Sequence, residues 1–160
     1  NRKILISIFA KNISYMKTSE NPNQQTFTLQ GVTHIEPMAA ASALANENAL
    51  LVDVREPVEL DIMHFDSDVE SINLPMSVIA DRFEELPKDR PLIIACNNGE
   101  RSVKIVNMLN YQGYNNATNL DGGILQWNRE GLSIVLRDDI LHDEDGCGSA
   151  SGCGGCSCGC

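Results

Sequence analysis

The sequence predicts an α/β domain, a parallel five-stranded sheet with helices on both faces and flexible N- and C-terminal tails. Three observations predict it. Short apolar runs alternate with helical segments from residue 32 onward, and such alternation implies parallel strands joined by crossover helices. The runs 50–54 and 92–95 are apolar almost throughout, as strands covered on both faces are. The 160 residues are enough for one domain with its own core, plus tails.

The elements follow in order. Residues 1–30 are polar and turn-rich after the first ten, and read as a loose extension. Residues 32–35 form a short strand. Pro37 opens a helix through residue 45, since proline suits the first helical turn. Residues 50–54 form the second strand, 57–63 a short helix, and 71–74 the third strand. A helix over 78–85 stops near Pro87. Residues 92–95 form the fourth strand. Ser102 is the expected N-cap of a helix from Val103 to about Tyr111, ended by Gly113. The fifth strand covers 117–120, and the last helix 124–130 before Gly131. The domain therefore spans residues 31–137, and 138–160 form an acidic linker and a Cys/Gly-rich tail.

Charge and composition narrow the function classes. The net charge is −10. That argues against a nucleic-acid footprint, which is basic, and against binding an anionic membrane surface. No apolar run approaches the eighteen or so residues that a membrane span needs. The first ten residues imitate a signal peptide, but the apolar part is short and no small-residue cleavage site follows. Residues 1–15 read as lying ahead of the natural start, with Met16 the candidate initiator. Of the six Cys, five lie in residues 147–160. This is no disulfide framework. One reactive thiol in the body fits a reducing, cytoplasmic setting, and a monomer is expected.

That thiol is Cys96, placed where a buried strand ends and a helix begins. Backbone N–H groups and the positive dipole end of a helix stabilise a thiolate, and the thiolate is the nucleophile. Gly99 lets the loop close tightly and Arg101 adds a fixed positive charge. A buried structural Cys would not need Gly, Arg and a helix cap at fixed spacing after it. In open α/β sheets ligands bind outside the carboxyl ends of the strands, and Cys96 sits at that edge.

The run Cys96-Asn97-Asn98-Gly99-Glu100-Arg101-Ser102 resembles the active-site loop of rhodanese-type sulfurtransferases, Cys-x-x-Gly-x-Arg-Ser. Leu51-Val52-Asp53-Val54-Arg55-Glu56-Pro57 resembles that family's strand-plus-turn signature. Asp121-Gly122-Gly123 with Trp127 and Gly131 resembles its C-terminal signature. The three stretches occur in the family's order, and the resemblance covers about residues 31–135. It implies a sulfurtransferase moving sulfane sulfur from a donor such as thiosulfate to a thiophilic acceptor through a Cys96 persulfide. Cys96 and Arg101 would be catalytic. The backbone of Asn97, Asn98, Gly99, Glu100 and Ser102 would form an anion nest around the sulfur. Arg101 would bind an anionic donor or brace the loop by pairing with a carboxylate. No cofactor is required. The implied partners are a small-molecule donor and a thiol or protein acceptor, with no nucleic acid and no membrane.

Loop length separates the relatives. Cys96 and Arg101 enclose four residues, whereas the related dual-specificity phosphatases and arsenate reductases enclose five and fit a phosphate-sized oxyanion. The shorter loop favours sulfur. Glu100 is either solvent-facing with no role, or a charge that weakens binding of dianionic thiosulfate. Asp53 and Arg55 support the loop: Asp53 accepts from backbone N–H groups, and Arg55 pairs with Glu56 or Glu59. Trp127 belongs to the core. His64, where the family commonly has Gly-His-Ile, is expected to be buried and hydrogen-bonded, and His34 to be structural.

The tail carries the alternative function, a non-catalytic sulfur-carrier or metal-handling module. Cys153, Cys156, Cys158 and Cys160 are dense enough to hold a soft ion, Zn²⁺ or Cu(I). A second use is sulfur relay, by attack of a tail thiol on a Cys96 persulfide.

Overall fold

Three short strands with every residue buried set the architecture: β3 (Leu50–Asp53), β6 (Leu92–Ala95) and β7 (Ala117–Leu120). The computed structural model describes residues 16–137. Around those strands lie β1 (Thr18–Ser19), β2 (His34–Ile35), α1 (Pro37–Asn46), α2 (Pro57–Leu60), β4 (Met63–Phe65) and β5 (Ser71–Asn73). Then come α3 (Ile79–Arg82), a 3-10 turn (Phe83–Glu85), α4 (Glu100–Tyr111), α5 (Gly123–Arg129) and β8 (Ile134–Leu136).

The main sheet has the order β1-β2-β7-β6-β3-β5. The five strands from β2 to β5 pair in parallel, as expected, and β1 adds an antiparallel edge. Strand side chains alternate between faces. Leu50, Val52, Leu92, Ile94 and Cys96 therefore share one core with Ile79 of α3 and Val103, Val106 and Leu109 of α4. Leu51, Ile93, Ala95 and Leu120 share the other with Ala40 and Ala43 of α1 and Ile124 and Trp127 of α5. Helices thus cover both faces. Each fully buried Leu or Ile contributes roughly 1.5–3 kcal/mol, so this double layer fixes the strand ends that carry the loop. Trp127 is core, as expected, with its ring edge-on to Phe65 at 5.4 Å. His34 is buried, its ring nitrogens 2.7 Å from Thr28 Oγ1 and 3.0 Å from Asn119 Nδ2. No helix among the described residues is long and apolar enough to cross a membrane.

Several expectations are corrected. The helix expected over 57–63 ends at Leu60, because Met63–Phe65 pairs antiparallel with Ile134–Leu136 in a second small sheet. His64 is exposed on that strand rather than buried, with Nδ1 2.9 Å from the Phe65 carbonyl. The helix over 78–85 divides into α3 and the 3-10 turn. The helix after the loop begins at Glu100, not Val103. Gly99 in a left-handed conformation is its N-cap, so Ser102 lies inside the first turn and does not cap. Residues 16–30 are not loose. Besides β1, Phe27 and Leu29 pack against the α4-side core, and Asp121 Oδ2 accepts the Asn23 and Gln24 N–H groups at 2.6 and 3.0 Å. The expectations for residues 1–15 and for the Cys-rich tail lie outside the described residues.

Candidate active site

Cys96 follows β6 directly and is fully buried. Two donors converge on its Sγ. The Gly99 N–H lies at 3.2 Å and the Ser102 hydroxyl at 3.3 Å. Ser102 Oγ is also 3.1 Å from the Gly99 carbonyl, so its single proton has two acceptors. A negative sulfur attracts that proton and gains a charge-assisted bond. The first turn of the twelve-residue helix α4 lies against the same atom, which adds the positive end of its dipole. Asn98 Oδ1 accepts the Glu100 N–H at 3.3 Å and closes the loop's outer turn. Glu100 itself is exposed in that first turn.

The loop is held from one side by a chain of charges. Arg101 is engaged by a carboxylate. It makes two parallel bonds to Glu59 of α2, at 2.8 and 2.6 Å. Of the two roles expected for it, the structure shows the brace. Glu59 Oε1 also accepts Asn97 Nδ2 at 2.8 Å, while Asn97 Oδ1 accepts Arg55 Nη1 at 3.3 Å. Arg55 is corrected: its partner is Asp53, through Nη2 at 2.6 Å and Nε at 2.9 Å, not Glu56 or Glu59. Asp53 accepts the Arg55 N–H at 3.0 Å, which is the backbone role expected of it. Arg55 Nη1 also donates to the Met63 carbonyl at 2.9 Å. A buried pair is tolerated only when its hydrogen bonds are met in this way.

The opposite wall is the start of α5. Its Ile124 and Leu125 N–H groups donate to the carbonyls of Cys96 and Asn97 at 2.9 and 3.1 Å. A Cβ on Gly123 would collide with those two carbonyls, so the second glycine of the Gly-Gly pair is what lets the helix dock on the loop. Asp53, Arg55, Cys96, Asn97, Asn98, Gly99, Glu100, Arg101 and Ser102 are thus gathered at one end of the sheet, around one thiol. Glu59 is a site residue that sequence reasoning named only as a partner for Arg55. A Glu three residues after the N-cap of a Pro-opened helix was its one signal, and Glu59 Oε2 accepts the Glu56 N–H at 3.0 Å. Among the described residues no group of His, Cys, Asp and Glu is placed to hold a metal ion.

Arg101 holds the Glu59 carboxyl down at about 2, from an ordinary 4.5. Its hydrogen bond is the main cause; the Glu56 N–H and the charges of Arg101 and Arg55 add to it, and burial opposes it. A carboxyl that titrates lower when folded stabilises the fold fully above pH 4.5, and loses that contribution as pH falls through about 2. The two side chains are 24% and 32% exposed, so screening leaves on the order of 1 kcal/mol. Chemical denaturation should show Glu59→Gln less stable than wild type by about this amount at neutral pH. The gap should close between pH 4.5 and about 2. A gap that stays constant to the acid end would remove charge as the source of the brace.

The chain matches the family model of the Rhodanese-like domain over residues 36–130. It is 40% identical over 105 residues to a sulfurtransferase of Allochromatium vinosum, covering 65% of this chain and 95% of that protein. It is 34% identical over 91 residues to the thiosulfate sulfurtransferase GlpE of Pseudomonas syringae pv. syringae, covering 57% of this chain and 83% of the relative. The crystal structure of a rhodanese-related protein from Thermoplasma volcanium superposes with a TM-score of 0.57 at 30% identity, over 64% of this chain and 97% of that one. The matched region runs from the end of β2 through α5 and includes every residue that binds the Cys96 loop except those of the preceding segment. With more than half its length matched, and with the Cys96 loop, the Asp53–Arg55 turn and the Gly122-Gly123 docking point in place, this chain belongs to the rhodanese-like domain family.

Proposed function

We propose that this protein is a thiosulfate-type sulfurtransferase that carries sulfane sulfur as a Cys96 persulfide. The observation that carries the reading is the convergence of the Gly99 N–H and the Ser102 hydroxyl on Sγ. Both donors stabilise an anionic sulfur, and both are held before any substrate arrives. The Cys96 thiolate attacks the outer sulfur of the donor. A Cys96 S–S bond forms, the donor's S–S bond breaks, and sulfite leaves with the electron pair. An acceptor nucleophile then attacks the terminal sulfur, and Cys96 Sγ leaves as the thiolate it began as. Arg101, engaged with Glu59, keeps the loop shaped rather than binding the donor. The reading includes a small-molecule donor, a thiol or protein acceptor, a monomer and a reducing cytoplasmic setting.

Thiosulfate should add the mass of one sulfur atom to the peptide containing Cys96, and cyanide should discharge it as thiocyanate. An unmodified Cys96 peptide after exposure to thiosulfate would overturn the assignment.

A second reading rests on five Cys in residues 147–160. It makes the protein a carrier or metal-handling module that works through its tail. Fixing the backbone of a chain segment costs about 1–2 kcal/mol per residue. A structural Zn²⁺ site gains about 10 kcal/mol or more, so a few ordered residues are within reach. Reduced full-length protein should take up about one Zn²⁺ or a small Cu(I) cluster, with affinity falling as pH drops. A full-length variant with Cys153, Cys156, Cys158 and Cys160 all changed to Ser should lose that uptake. Equal, negligible uptake by both would overturn the metal reading and leave either sulfur relay or thiols that are incidental to a low-complexity tail.

A further inference from the structure

We propose that Gln25, from the segment ahead of the family-matched region, is a positioning residue for the Cys96 loop. Its carboxamide lies between the two glycines that cap α4 and α5, Gly99 and Gly122. Nε2 donates to the Gly99 carbonyl at 3.2 Å and to the Phe27 carbonyl at 2.7 Å. Oε1 accepts the Gly122 N–H at 3.1 Å and Asn119 Nδ2 at 3.2 Å. An amide has two N–H donors and two lone pairs on oxygen, and all four are used here. The oxygen also fills the place that a Cβ on Gly99 would take.

The segment is fastened on both sides of Gln25. Before it, Asp121 accepts the Asn23 and Gln24 N–H groups at 2.6 and 3.0 Å. After it, Phe27 packs against the α4-side core and Thr28 Oγ1 lies 2.7 Å from His34 Nε2. A side chain pinned this firmly can hold what it touches. What it touches is the residue whose N–H points at Cys96 Sγ, and the glycine that precedes the docking point of α5 on the loop. Gly99 has a φ of 88°, a region where nothing in its own side chain limits it. Gln25 supplies that limit from outside. A donor that needs no reorientation when charge develops on sulfur is worth more than one that must first be ordered. All four hydrogen bonds of the Gln25 amide go to protein groups that hold the loop, so its effect is expected on turnover and not on donor affinity.

The proposal rests on Cys96 as the reacting thiol. It is tested in the full chain with Gln25→Ala and Gln25→Glu. The Glu variant keeps the length and the accepting oxygen and loses the donations to the Gly99 and Phe27 carbonyls. Asn23→Ala is the control, since it cuts only the 2.6 Å bond from Asn23 Nδ2 to Glu36 on the same segment. Two readouts are taken: steady-state thiocyanate formation, and the pH dependence of iodoacetamide alkylation at Cys96, resolved by peptide mass spectrometry. Altered access changes the height of that profile, whereas altered anion stabilisation moves its midpoint. Both Gln25 variants should lower kcat about tenfold, with KM within about twofold of wild type. They should also move the alkylation midpoint to higher pH, while Asn23→Ala matches wild type in both. An unmoved midpoint with unchanged kcat in the Gln25 variants would overturn the proposal. Equal changes in Asn23→Ala would overturn it too, by showing that the whole segment and not Gln25 is responsible. If Gln25→Ala does not fold, Gln25→Glu carries the test. A midpoint shift in a protein that turns over no thiosulfate would sink the sulfur-transfer reading and support this one.

Discussion

Cys96→Ser abolishes sulfur transfer and leaves the fold standing. A serine oxygen cannot form a persulfide, so thiocyanate formation should fall to the background of a no-enzyme control. Stability should change little. Cys96 is fully buried, and a hydroxyl there needs partners. It finds them in the Gly99 N–H and Ser102 Oγ, now 3.2 and 3.3 Å from Sγ. The expected cost is about 1 kcal/mol or less. Matching thermal unfolding of the two proteins would therefore show that the loss is chemical. Retained transfer in Cys96→Ser would point instead to the thiols of residues 147–160.

The sheet was legible where burial on both faces forces a continuous apolar run. β3 and β6 fall almost where the sequence puts them, because neither can present a polar side chain to water. Of the shorter pieces, β2 and β5 fall within the expected 32–35 and 71–74, but β1, β4 and β8 were not legible. Thr18–Ser19 and the Met63–Phe65 pairing with Ile134–Leu136 are two or three residues long, and their partners are distant in sequence. No local periodicity marks so short a strand. The thiol loop was legible as spacing, but its supports were not. Ser102 has the chemistry of a helix cap, yet Gly99 in the left-handed region starts the helix earlier and turns the hydroxyl toward sulfur. Arg55 had two nearby acids to choose from and took a third, Asp53, because the strand end brings both side chains to the same buried place. Gln25 lies in a polar stretch, and nothing in that stretch announces a residue that reaches Gly99, 74 positions away. Supports of this kind are pairwise and long-range, so only the folded chain displays them.

Gly123→Ala should be the most damaging small substitution in the domain, and the reason lies in the loop rather than in the helix. Gly123 has a φ of 62°, where a Cβ strains the backbone by about 1–3 kcal/mol. The new Cβ would also overlap the carbonyls of Cys96 and Asn97. Neither carbonyl can swing away, because they accept the Ile124 and Leu125 N–H groups at 2.9 and 3.1 Å. Relief comes only if α5 backs off and those bonds lengthen, which shifts the peptide that carries Cys96. The combined loss should be about 2–4 kcal/mol of unfolding free energy. Sulfur transfer should fall at least about tenfold at temperatures where the variant is still folded, since the Sγ donors lose their alignment. Gly113→Ala isolates the backbone term. Gly113 has a φ of 83°, but a Cβ there meets nothing within 4 Å. That variant should lose about 1–2 kcal/mol and keep its activity. Denaturant melts and thiocyanate rates on the two variants, side by side, decide the matter. Equal stability losses and equal activities would show that the start of α5 can move without disturbing the loop, and the docking of Gly123 on Cys96 would lose its role in the site.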